Sequence, residues 1–106
     1  MSIVIREKSS GSVLAEAESP GDGVVTYEGN LYFAHDAVKS GFLRKTDRTY
    51  TCPYKGTCDW VDYVGPDGAT VKGVAWVYEN PKPGHEVIKG RFGFYAGSRG
   101  PTAQDG

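Results

Sequence analysis

The stretch from residue 58 to residue 80 limits the fold more than any other. "CDWVDYVG" (58–65) alternates, with Cys58, Trp60 and Asp62 on one side and Asp59, Val61 and Tyr63 on the other. "ATVKGVAWVYEN" (69–80) does the same, placing Val74, Trp76 and Tyr78 on one face and Ala75, Val77 and Glu79 opposite. Side chains of a strand point alternately to its two faces, so a period of two over this length predicts strands. "PDG" (66–68) lies between the two runs and supplies the turn of a hairpin.

The rest of the chain fits the same class. "SIVIRE" (2–7) reads as a strand, "SSGS" (9–12) as a turn, and "VLAEAE" (13–18) as a strand or a short helix. "SPGDG" (19–23) is turn chemistry, and "VVTYEGNLYFA" (24–34) is a hairpin closed at "EGN". "HDAVKSGFL" (35–43) predicts the one short helix, with Asp36 as its cap and Val38 and Phe42 four residues apart. "RTYT" (48–51) is a strand, and "VIKGRFGFYAG" (87–97) is a last strand or hairpin with a bulge near Gly90 or Gly93. "SRGPTAQDG" (98–106) reads as a loose tail. Fifteen glycines and six prolines suit many turns, and thirteen aromatic residues against one methionine favour strands. The expectation is a mainly β, largely antiparallel fold: one domain over residues 1–97 of the 106, followed by the tail.

A net charge of −1 lacks the basic footprint that phosphate backbones require, which argues against a nucleic-acid partner. No apolar run approaches the roughly 18 residues of a membrane span. "MSIVIREKSSG" shows no charged segment followed by an apolar stretch, so no signal peptide is expected. Two cysteines without such a signal suggest a reducing, cytoplasmic setting.

The reactive residues crowd into "TYTCPYKGTCDW" (49–60). A zinc site needs four ligands; His35 and His85 could complete a Cys2His2 set with Cys52 and Cys58, but neither stands at a motif spacing, so two unmetallated thiols are expected. A disulfide between Cys52 and Cys58 can form only if their Cβ atoms approach to about 4 Å, and a reducing compartment opposes it. A nucleophilic Cys52 would need a lowered thiol pKa, for which Lys55 is the nearest cation, and a base, for which His35 and His85 are the only histidines. The plain alternative is a buried apolar Cys52 and a solvated Lys55. "GPDG" and "SPGDG" offer too few oxygens to be calcium loops. Aromatic walls with a few polar groups make small-molecule sites, and Trp60, Trp76, Tyr78, Phe92, Phe94 and Tyr95 are available, though most aromatics in a small β domain simply pack.

The order and spacing of "TCPYKGT", "VAWVYENP" and "IKGRFGFY" resemble the bacterial family known as domain of unknown function 427, from about Leu31 to Tyr95, and more loosely over residues 1–30. The resemblance implies a β-tent: two antiparallel sheets meeting at an angle, in the topology shared with zinc-binding exchange-factor-like proteins, the B-type methionine sulfoxide reductases and the thalidomide-binding domain of cereblon. It brings no established activity, and a shared fold does not carry one across. The family's nucleotidyltransferase-like label finds no Gly-Ser motif with spaced aspartates here. A small residue usually stands where this chain has Cys58, which argues against an essential role for that thiol. Recurrence of the Cys-Pro-aromatic-Lys-Gly run adds weight to a paired role for Cys52 and Lys55.

Three functions follow as expectations. The first is a small-molecule pocket lined by Cys52, Tyr54, Lys55, Trp60 and Trp76 with Tyr78 nearby, where Lys55 meets an anionic group and the rings a flat one. The second is an enzyme with Cys52 as nucleophile, Lys55 assisting and a histidine moving protons. The third is a ligand-free interaction module. None calls for a metal or cofactor, and the protein is expected to be a monomer or homodimer.

Overall fold

The computed structural model describes residues 1–105. Its strands are β1 (Ser2–Glu7), β2 (Val13–Glu18), β3 (Val24–Tyr27), β4 (Asn30–Phe33), β5 (Leu43–Cys52), β6 (Gly56–Val64), β7 (Thr70–Val77), β8 (Phe92–Tyr95) and β9 (Thr102–Asp105). They form two sheets. One has three strands in the order β2-β1-β9, and the other has six in the order β3-β4-β8-β7-β6-β5. Every strand pairing within them is antiparallel. The chain is thus mainly β, with two antiparallel sheets. No helix of the described residues is long and apolar enough to cross a membrane.

The hairpin of β6 and β7 sits inside the larger sheet, with Trp60 opposite Trp76 and Val61 opposite Ala75. Its alternation feeds two apolar clusters. Val61, Tyr63, Ala75 and Val77 join Ile5, Leu14, Phe33 and Phe94 in the larger one, between the sheets. Cys58, Trp60 and Trp76 join Tyr32, Cys52, Tyr78 and Ile88 in the smaller one. Val74, expected beside Trp76, belongs to the larger cluster instead. The register shifts between Val61 and Tyr63, where Gly73 takes a positive φ of 68°, and this bulge re-aims the side chains beyond it. Asp62 is buried at the bulge, where its carboxylate accepts from the Gly73 N–H at 2.9 Å and from Arg48.

Three expectations need correction. Residues 35–43 form no α-helix: two 3₁₀ turns, His35–Ala37 and Ser40–Phe42, flank an extended Val38 that bridges to Ala15. Burying Val38 against β2 competes with helix propagation, which a segment of two turns cannot win without packing of its own. Asp36 makes no capping bond, because Ala34 holds the cap position. The tail is the second correction. Residues 102–105 are β9, paired with Val4 to Glu7 of β1, with Thr102 fully buried. The third concerns residues 87–97, where the strand begins only at Phe92 and Glu86–Ile88 is a further 3₁₀ turn.

Candidate functional site

The hairpin turn between β3 and β4 is Glu28–Gly29, with φ of 51° and 82°. Two left-handed residues give the strand-matching twist of a two-residue hairpin, a conformation that glutamate rarely takes. It aims the Glu28 carboxylate at the loop after β5, where it accepts from the Lys55 ammonium at 2.7 Å. Lys55 is the more enclosed of the two, with 17% of its side chain exposed. Burial opposes its charge, but the Glu28 hydrogen bond holds its pKa above the usual lysine value.

Beside Lys55 the smaller cluster opens to the surface. A cleft of about 160 Å³ is lined by Asn30 and Tyr32 of β4, Tyr50 of β5, Lys55, Cys58 and Trp60 of β6, Trp76 of β7, Tyr78, and Tyr95 of β8. The rings meet edge to face: Trp76 lies 6.2 Å from Tyr32, 6.1 Å from Trp60 and 4.9 Å from Tyr95, the geometry that ring quadrupoles favour. Gly93 makes room for them. A Cβ there would fall 2.6 Å from Trp76 Cε2 and 2.9 Å from Tyr32 Cε2.

Of the residues singled out in the sequence, Lys55, Trp60, Trp76 and Tyr78 line this cleft together. Tyr54 does not: it sits at the tip of the turn, 74% exposed. Cys52 packs in the same cluster, 8% exposed, without lining the cleft. Asn30, Tyr32, Tyr50 and Cys58 are cleft residues that the sequence reading left out, and of the last strand's aromatics it offered as walls only Tyr95 lines the cleft. Tyr32 and Tyr95 had a signal in the alternation of their strands, but their placement depends on β8 joining β4 to β7.

Both cysteines are free thiols in unlike settings. The backbone N–H of Lys55, helped by that of Tyr54 and by the Lys55 ammonium, lowers the Cys52 pKa against the opposing effect of burial. Burial pushes the Cys58 thiol up, although the Tyr78 hydroxyl favours its ionised form. Burial likewise raises the Tyr32 and Tyr78 hydroxyls. His85 Nδ1 is hydrogen-bonded with the Tyr27 hydroxyl, and Tyr27 packs 6.3 Å from Tyr32, so this histidine reaches the cleft wall only through Tyr27. His35 packs against Phe92 with tilted rings 5.8 Å apart, in a separate hollow with Val77 and Glu79. Neither histidine is brought to Cys52. Among the described residues no three His, Cys, Asp or Glu side chains gather as a metal site would require.

The loop after β7 closes over the Cys52–Gly56 turn. Lys82 N–H donates to the Lys55 carbonyl at 2.8 Å and its ammonium to the Pro53 carbonyl at 3.0 Å. Pro53 and Gly56 thus shape a turn that a second loop grips, and this grip holds Lys55 at the cleft.

A family model described as a domain of unknown function (DUF427) matches residues 3–104. The match extends past the motifs of residues 31–95 in both directions, taking in β1, β2 and most of β9. No curated protein matches the chain.

Proposed function

The chain belongs to the DUF427 family, and on that premise we propose that it is a small-molecule-binding domain whose cleft receives a flat ring. One observation carries the reading. Side chains from five strands and the Cys52–Gly56 turn converge on a single concave surface, with Tyr32, Tyr50, Trp60, Trp76, Tyr78 and Tyr95 as walls. Concave aromatic surfaces with few polar groups are the usual form of such sites. Lys55 and Asn30 supply the polar groups. Because Glu28 already pairs with Lys55, the cleft suits a ring with a polar edge better than a bare anion. The same reading takes the two sheets as a β-tent and the cytoplasm as the compartment, the latter supported by two free cysteines.

Isothermal titration calorimetry with naphthol, indole and methylumbelliferone tests it. At least one should bind saturably at one site per chain, and Trp60→Ala, at a half-buried position, should weaken that binding. The absence of saturable binding by all three would overturn the reading.

A second reading is supported by the lowered Cys52 pKa: a thiol nucleophile steadied by the turn's N–H groups. It has no histidine base in place, and Cys52 lies outside the cleft lining. We therefore rank it below binding.

A further inference from the structure

Trp60 and Tyr95 do not end the cleft; they also line another. A broader hollow of about 430 Å³ shares these two rings and is lined besides by Arg48, Lys72, Gly73, Gly100 and Pro101. The backbone leaves these rings free there. A Cβ at Gly73 would come 3.8 Å from Trp60, and one at Gly100 3.2 Å from Tyr95. The first cleft alone is small for a ligand, whereas the two together fall within the roughly 300–1,000 Å³ of ordinary small-molecule sites.

The halves differ in charge. Lys55 in the first is paired with Glu28, and Arg48 in the second with Asp62. Lys72 is exposed and has neither a hydrogen bond nor an ion pair among the described residues. Arg99 lies over the Tyr95 ring at 5.7 Å and donates to the Asn30 side chain, again with no carboxylate partner. Lys72 thus lines the second hollow uncompensated, and Arg99 stands over Tyr95, the ring both hollows share, with its hydrogen bond directed to Asn30 of the first cleft, in a chain whose net charge is −1. A concentration of one sign of charge at a concave surface attracts its counter-charge.

We propose that the two clefts are one bipartite site for an anionic aromatic molecule. Its ring lies among Trp76, Tyr32 and Tyr78, and its phosphate or carboxylate passes the sill of Trp60 and Tyr95 to reach Lys72 and Arg99. This inference rests on the binding reading above and moves the anion from Lys55, which is neutralised, to Lys72 and Arg99, which are not. It also gives Trp60 and Tyr95 a common role, since each lines both hollows.

The test compares naphthol with naphthyl phosphate by calorimetry at low salt, on the full chain, on Lys72→Met and on a Lys72→Met, Arg99→Met double variant. Both positions are exposed, so the variants should fold. The phosphate ester should bind about tenfold more tightly than naphthol, the effect expected of one or two partly solvated charge contacts. That advantage should shrink with added salt, fall in Lys72→Met alone with naphthol binding as it was, and largely vanish in the double variant. Equal affinities for the two probes, or an ester advantage that survives the double substitution, would overturn the second half of the site and leave the ring cleft standing. If neither probe binds, both readings fall together.

Discussion

The indole N–H of Trp76 donates to the hydroxyl of Tyr32 at 3.1 Å, inside the smaller cluster and 44 residues away in sequence. Both side chains are nearly sealed, Tyr32 at 1% and Trp76 at 6% exposure. The bond joins β4 to β7 across β8, so the shape of the cleft floor depends on it.

Tyr32→Phe keeps the ring and removes the acceptor. A buried N–H left without a partner costs about 1–3 kcal/mol, so the variant should unfold at lower urea concentration by that amount with an unchanged slope. An unaltered midpoint would mean that the indole finds another acceptor and that the bond is dispensable.

Gly93→Ala should be as harmful or worse, although it adds a single methyl group. The position is occupied sterically by Trp76 and Tyr32, and overpacking typically costs about 1–3 kcal/mol. Thermal unfolding with tryptophan emission as the probe checks it. Stability equal to the parent would show that the two rings have room to move.

The two thiols should titrate on opposite sides of the free-cysteine value of about 8.5. In Cys58→Ala the remaining Cys52 should react with iodoacetamide with a midpoint below that value, and in Cys52→Ala the remaining Cys58 with one above it. Lys55→Met should raise the Cys52 midpoint without restoring it fully, because the backbone N–H of Lys55, which the substitution keeps, is the larger influence. Coincident midpoints for the two thiols would contradict the difference in their surroundings.

The fold should weaken in alkali. Cys58, Tyr32 and Tyr78 all have folded pKa values above their unfolded ones. The unfolded chain therefore loses those protons first, and the stability they contribute, whole below the unfolded pKa values, is lost as pH rises through the folded ones. The unfolding free energy should decline from about pH 8.5, where an unfolded cysteine ionises, and more steeply above about pH 10, where tyrosine follows. Cys58→Ala should flatten the first part of that decline. Stability that holds or rises through this window would reverse the sign.

Alternation made much of this legible in the sequence, and its failures are local. Cys58 and Trp60 face away from Val61 and Tyr63 as the period of two demands, and Lys55, Trp60, Trp76 and Tyr78 line one cleft. Val74 departs because the bulge at Gly73 breaks the period. The spacing of Val38 and Phe42 suggested a helix, but a bridge from Val38 to Ala15 decides otherwise, and a window read along the chain does not include so distant a partner. The absence of long apolar runs hid β9, whose one sealed residue is a threonine. Asn30, Tyr32 and Tyr95 reach the cleft through the strand order β4-β8-β7, which no local pattern encodes.

The position of β9 has a consequence for how the molecule is made. β1 is the middle strand of its sheet, and its second neighbour is the segment nearly a hundred residues later, where Arg6 meets Asp105 at 3.1 Å. A ribosome emits β1 and β2 before β9, and that sheet stays one strand short until residues 102–105 have left the exit tunnel. At about 5–20 residues per second, the edge of β1 from Val4 to Glu7 waits several seconds for its pairing strand, an interval in which a nascent-chain chaperone has something to hold.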